Sequence, residues 1–342
     1  MAEIKPNYDT KRKKLAEIIP LAAPFTVYIE QTKYCNFKCF YCIHSTRDEA
    51  DGEFRALGHR MQHIDEGFFE KIIHDLKAFP QGGIKRIVFS GLGEPLMNPR
   101  LPDYVRMAVE AGIARRVEVI TNGLLLTPEK SKALVEAGIT NINISVQGLD
   151  AEGYQQTCGV RIDFDHYLEN LKYLYEHKGN VQIYIKAIDA TLKTKENEEK
   201  FFRIFSPFAD RIYIEHLVVM QQQMDGLREI VDGTKNFYGE ELDVNRKVCA
   251  QSFYFMQIGC EGDIFPCPVP GLGRNLSMGN AKEHTLVEIW NGSRRRGFLR
   301  KMLKKEKDQI LDCATCTCFN AINNPMEQLD DDAERLLPLF ED

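Results

Sequence analysis

The stretch TVYIEQTKYCNFKCFYC, Thr26 to Cys42, decides how the rest of the chain is read. Its first part, Thr26–Gln31, is β-branched and apolar without a helical period, and predicts a short strand. The rest packs Cys35, Cys39 and Cys42 into one loop at Cys-x3-Cys-x2-Cys spacing. Further β-branched runs follow at Arg86–Ser90, Val117–Thr121, Asn143–Gln147, Val181–Ile188 and Ile212–Val219. Amphipathic stretches alternate with them at Ile64–Ala78, Leu101–Ala111, Pro128–Ala137, Phe164–His177 and Glu196–Phe208. Thr127-Pro128 ahead of Glu129, and Asp163 ahead of Phe164, are helix-start signals. Six strand–helix units with no Gly-rich dinucleotide loop predict an α/β fold on a parallel sheet, a partial (β/α)6 TIM-like barrel. In such a fold chemistry gathers at the C-terminal ends of the strands.

The barrel is expected over 25–219, behind an N-terminal extension, 1–24, with a short basic helix from Asp9 to Ile19. From Gln221 the rhythm stops, and 220–248 reads as a linker. A small C-terminal α+β domain of hairpin and helix then spans 249–320. Its arms are Ser252–Ile258 and Asp263–Cys267, joined by Gly259–Gly262, and a helix lies at Thr285–Asn291. An acidic tail or capping helix fills 321–342.

A net charge of −6 argues against a basic field for nucleic acid or an anionic membrane. The local runs Arg294-Arg295-Arg296 and Lys304-Lys305-Glu306-Lys307 read as a solvated helix face. No apolar run approaches the roughly 20 residues a bilayer requires. No secretory signal opens the chain, so a cytoplasmic location is expected.

There are ten cysteines, many for a reducing compartment, where thiols serve as metal ligands or catalytic groups more often than as disulfides. Three lie in Cys35–Cys42, Cys158 stands alone, and six lie beyond residue 248, a distribution that implies two metal sites. Three thiolates on a [4Fe–4S] cluster leave one iron open to a small chelating molecule. A zinc site with His44 as fourth ligand is the alternative.

The Cys35/Cys39/Cys42 loop, with Tyr41 before its last cysteine, resembles the signature of the radical S-adenosylmethionine (SAM) superfamily. Ser90-Gly91-Leu92-Gly93-Glu94-Pro95 resembles the family's Gly-Gly-Glu-Pro motif, with Leu92 in place of its first glycine. Thr121-Asn122-Gly123 follows strand three, and Ser145 and Gln147 end strand four, as in the family. The resemblance implies SAM chelated to the open iron and cleaved by one electron to a 5′-deoxyadenosyl radical. It also implies that Gly93, Glu94 and Pro95 cradle the methionine end, with Glu94 accepting from its ammonium. Tyr41 would lie along the adenine, and Asn122, Ser145 and Gln147 would contact sugar or carboxylate. A flavodoxin- or ferredoxin-type donor is implied as well.

Cys249-x12-Gly262-x4-Cys267, a gap, then Cys313-x2-Cys316 resembles the family's C-terminal SPASM or shorter "twitch" extension. This implies a second, auxiliary [4Fe–4S] cluster on those four cysteines, with Cys260 or Cys318 able to replace one of them. A zinc ribbon on the same thiolates is the alternative. For the chemistry itself, Cys158, Lys186, Glu215 and His216 are candidates, with Asp189 beside them. His59 and His63 lie in a polar insertion, Arg47–Gln62 and its flank, that reads as a lid. Dehydrogenation or epimerisation of a small polar metabolite, sugar- or aminocyclitol-like, is expected. Modification of a ribosomal peptide or protein is the alternative, disfavoured because only some 24 residues precede strand one. A non-catalytic Fe–S or zinc scaffold is a third reading.

Overall fold

The computed structural model describes residues 2–7, 12–219, 227, 229, 231–243, 245–314, 316–321 and 324–341. Among the described residues nine strands form one sheet: β1 Glu3–Ile4, β2 Thr26–Ile29, β3 Arg86–Phe89, β4 Arg116–Thr121, β5 Asn141–Val146, β6 Gln182–Ile188, β7 Arg211–Glu215, β8 Phe255–Ile258 and β9 Ile264–Phe265. Their order is β1-β7-β6-β5-β4-β3-β2-β8-β9, and every pairing is parallel except β8 with β9. The six barrel strands expected from the sequence are β2 to β7. Helices α1 Glu53–Ala56, α2 Glu66–Lys77, α3 Leu101–Glu110, α4 Pro128–Glu136, α5 Ala151–Cys158, α6 Phe164–His177, α7 Asp189–Leu192 and α8 Lys195–Phe205 lie between them. Thr127 and Asp163 cap as expected, their side chains accepting from Lys130 N and His166 N.

Alternation along the strands separates two faces. Val27, Ile29, Ile87, Phe89, Val117, Val119, Ile142, Ile144, Ile183 and Ile185 face the helices as one dry core. The opposite face is polar and cross-linked. Glu118 takes Arg116 at 2.9 Å and Asn143 at 3.2 Å, and Glu215 takes Lys186 at 2.6 Å and the Tyr184 hydroxyl at 3.1 Å.

Several details differ from the sequence reading. Within 12–19 the chain makes only a 3-10 turn, Leu15–Glu17, and residues 9–11 of the expected N-terminal helix lie outside the described ones. Glu3–Ile4 instead adds a strand beside β7, and the Asn7 amide donates to Asn143 at 2.9 Å. Cys158 closes helix α5, which the sequence reading left out although Asp150 caps it through Gly153 N. The hairpin is no separate sheet. β8 runs parallel to β2, Thr26 opposite Phe255, so the barrel sheet continues into the C-terminal region.

Helix α9 Gln251–Tyr254 leads into the hairpin, and beyond it come α10 Leu286–Trp290, α11 Ser293–Leu303, α12 Leu311–Ala314 and α13 Ala333–Leu336. Gly292 separates α10 from α11, so the expected helix stops at Trp290. Arg295 is not solvated. It stacks 3.4 Å from the Trp290 ring centroid and donates to the Ser252 and Phe253 carbonyls. Burial lowers its guanidinium to about 9. The described part of the expected linker is folded too, since Asn236 is fully buried and Phe237 N bonds the Ala321 carbonyl. The acidic tail packs down through buried Leu329, Ala333, Leu336 and Phe340.

Candidate active site

The first thiol loop leaves β2 and is held from three sides. From one, Lys38 N and Phe40 N donate to the carbonyls of Cys158 (2.9 Å) and Thr157 (3.1 Å), the last turn of α5. Those carbonyls have no partner within their own helix, so the loop satisfies them. From the second, Glu94 N donates to the Tyr34 carbonyl at 2.8 Å. Gly93 is required there, because a Cβ would stand 2.3 Å from the Thr32 carbonyl oxygen. From the third, the Asn122 amide donates to Asn36 at 2.8 Å.

Cys35, Cys39 and Cys42 thus share one loop. Burial pushes the Cys35 and Cys42 thiols up to about 12. Cys39 is also raised, first by a hydrogen bond with the Cys158 thiol and then by burial. Such thiols ionise when a cation takes them as ligands, so the donor set suits a cluster. His44 does not suit zinc. Its Nε2 bonds the Lys33 carbonyl at 2.7 Å and its Nδ1 meets Arg47 at 3.0 Å, so both ring nitrogens are engaged.

Glu94 is buried, and its carboxylate already accepts Leu96 N (2.9 Å), Thr121 Oγ1 (2.6 Å) and Asn122 N (2.7 Å). Three bonds nearly fill its roughly four acceptor sites. It ties the loop after β3 to the end of β4. Burial raises its pKa while the donors pull it back. The Tyr41 hydroxyl donates to Gln147, so Gln147 fixes that ring. Ser145, half-buried, stands opposite Lys186 on the polar face of the sheet. Pro95 is buried at the start of a 3-10 turn.

The other candidates are spread out. Lys186 and Glu215 pair on the polar face. His216 is engaged on both nitrogens, by Asp189 at 2.5 Å and the Asp232 carbonyl at 2.9 Å. Cys158 is fully buried behind the thiol loop rather than exposed at a strand end. His63 bonds Thr32 at 2.9 Å. His59 is buried against Lys33, whose ammonium lies 3.0 Å from Nδ1. Sequence reasoning missed Lys33, Glu30 and Glu261 as a group. Lys33 reaches Glu261 at 2.8 Å and Glu30 at 3.6 Å, joining β2 to the hairpin turn.

At the C-terminal site Cys249, Cys267, Cys313, Cys316 and Cys318 line one cavity with Phe298, Met302 and Lys307. Burial raises Cys267, Cys313, Cys316 and Cys318, and the neighbouring thiols add to it. Among the described residues no group of His, Cys, Asp or Glu is drawn tightly enough around one point for a single metal ion; these thiols ring a space. Cys260 lies elsewhere, its thiol donating to the Glu30 carbonyl at 3.0 Å. Among the described residues no helix is long and apolar enough to cross a membrane.

The chain matches the family model of the radical SAM superfamily over residues 29–205 and that of an iron–sulfur cluster-binding domain over 249–317. It is 31% identical to the tungsten-containing aldehyde ferredoxin oxidoreductase cofactor-modifying protein of Pyrococcus furiosus, over 80% of this chain and 82% of the relative. It is 25% identical to a PqqA peptide cyclase of Streptomyces rochei, over 87% of this chain and 85% of that one. The structure of BtrN in complex with AdoMet and 2-DOIA superposes with a TM-score of 0.55 at 18% identity, covering 85% of this chain and 92% of BtrN, a likeness of fold.

Proposed function

This chain belongs to the radical SAM superfamily, and on that premise we propose that it oxidises or epimerises a small polar metabolite of the sugar or aminocyclitol kind. As a member it is an enzyme that binds a [4Fe–4S] cluster and SAM, and its second domain is of the kind that binds auxiliary Fe–S clusters. When bound, these groups supply a carbon-centred radical and a one-electron acceptor. The polar face of the barrel sheet carries the reading for the substrate. Its Lys186–Glu215 pair, Tyr184, Asn143 and Glu118 offer hydroxyl- and amine-binding groups.

In this reading Cys35, Cys39 and Cys42 hold the first cluster. Gly93 and Pro95 shape the backbone beside it, and Glu94 orients Thr121 and Asn122 toward SAM rather than spending its own oxygens there. Gln147 sets Tyr41, and Ser145 lies beside the sugar. Lys186 orients a substrate hydroxyl, and Glu215 takes its proton at the carboxylate oxygen that now accepts from Tyr184. His216 and Asp189 brace β7, and Cys158 seats the thiol loop. Cys249, Cys267, Cys313 and Cys316 hold the auxiliary cluster, with Cys318 a fifth thiol at the same cavity. A flavodoxin- or ferredoxin-type protein serves as donor.

A second reading, modification of a peptide or protein, is favoured by the likeness to a PqqA peptide cyclase over 87% of this chain. The two separate by isotope transfer. Reconstituted enzyme is given SAM, dithionite and a panel of carbon-deuterated cyclitols and sugars. Deuterium in 5′-deoxyadenosine together with an oxidised or epimerised cyclitol supports the first reading. Transfer only from a peptide overturns it.

A further inference from the structure

The cavity ringed by the C-terminal thiols also holds a cation. Lys307 ends a charged run that reads as solvated in the sequence, yet its side chain is 8% exposed. Its ammonium donates to the carbonyls of Cys313 (2.5 Å) and Ala314 (3.2 Å) and lies 4.7 Å from the Phe319 ring centroid. It lines the same cavity as Cys249, Cys267, Cys313, Cys316 and Cys318. The carboxylate paired with it, Asp308 at 3.4 Å, is 82% exposed, so water screens that partner. The thiols feel the ammonium: it draws both Cys313 and Cys316 toward ionisation, against burial and the neighbouring sulfurs. Lysines are rarely buried this far unless something compensates the charge.

We infer that Lys307 is the positive charge that suits the C-terminal site to taking up an electron. The inference rests on the reading of these thiols as ligands of an auxiliary cluster. Four thiolates leave an oxidised [4Fe–4S] centre negative, and reduction adds one more negative charge. A fixed ammonium beside the sulfurs favours the more negative state, because charge and surroundings set a cluster's potential. The electron would come from the substrate radical, which becomes the carbonyl product as it releases a proton to a side chain. In this inference Lys307 acts only through the charge it sets beside the thiols, so it is a positioning residue for the electron.

The test is a redox titration followed by electron paramagnetic resonance, in the full chain with Cys35, Cys39 and Cys42 changed to Ala, so that only the auxiliary centre responds. Lys307→Gln keeps a donor for the two carbonyls and removes the charge; Lys307→Arg keeps the charge. At fixed ambient potential the Gln variant is expected to show an about tenfold smaller ratio of reduced to oxidised cluster, which is 59 mV for one electron, while the Arg variant stays near the parent. Loss of the cluster in Gln but not in Arg also supports a role for the charge. Equal potentials in parent and Gln, or the same change or loss in Gln and Arg, overturn it in favour of packing. A parent without any cluster signal overturns the underlying reading instead, and is told apart because every variant then lacks the signal.

Discussion

The backbone N–H of Lys38 donates to the carbonyl of Cys158 at 2.9 Å, which seats the first thiol loop on the last turn of α5. Gly159 ends that helix at φ 70°. A Cβ there meets only Lys38 Cβ, at 3.9 Å, so the cost of Gly159→Ala is backbone strain of about 1 kcal/mol rather than a clash. Urea unfolding of the apo protein should show that loss, and iron should leave the reconstituted variant faster. Unchanged iron release would mean the seat on α5 does not hold the loop.

Glu94 is expected to act through its neighbours. Glu94→Ala leaves three donors without an acceptor, at Leu96, Thr121 and Asn122. Unsatisfied buried donors of this kind cost about 1–3 kcal/mol. With three such donors stability should fall by at least about 3 kcal/mol, and SAM should bind more weakly. Full stability with weakened SAM binding would assign Glu94 to the ligand alone.

His59 supplies a pH signature. Burial, then the Lys33 charge, lowers it to about 4. Between that value and about 6.5 the unfolded chain binds the proton and the folded one does not, so stability rises with pH across this window. The contribution is complete above about 6.5 and is lost as pH falls toward 4. Apo protein should lose about 2 kcal/mol more than His59→Gln between pH 7 and pH 4.5. Parallel pH curves for the two would show that His59 titrates normally in the fold.

Cys260→Ala should leave the iron content unchanged, because its thiol faces the Glu30 carbonyl and not the cavity. Cys267→Ala and Cys316→Ala should each lower iron while leaving some uncoupled SAM cleavage. Iron lost from the Cys260 variant, and kept in the other two, would reverse the ligand assignment.

The barrel was legible because its signals are local. Periodicity gave β2 to β7 to within a few residues, and Thr127 and Asp163 marked their helices correctly. Spacing alone put Cys35, Cys39 and Cys42 in one loop, and the family resemblance singled out four C-terminal cysteines that line one cavity together with Cys318. What escaped depended on distant partners. β8 sits beside β2 through a parallel pairing that no sequence period encodes. Arg295 and Lys307 look like surface charge until Trp290 and the Cys313 carbonyl cover them. Glu94 reads as a free acid until the β4 donors fill it. Helix α5 was lost because Gly153 and a polar sequence weaken its period, although Asp150 offered a cap.

In the proposed reading two thiol sets carry two clusters, and the first one cleaves SAM. Anaerobic reconstitution with iron and sulfide, then iron counting and a dithionite assay for 5′-deoxyadenosine, tests it in the parent and in Cys35→Ala, Cys39→Ala and Cys42→Ala. About eight irons with product are expected in the parent, and about four irons without product in each variant. Product retained in any of the three variants, or a parent with product but only about four irons, would contradict it.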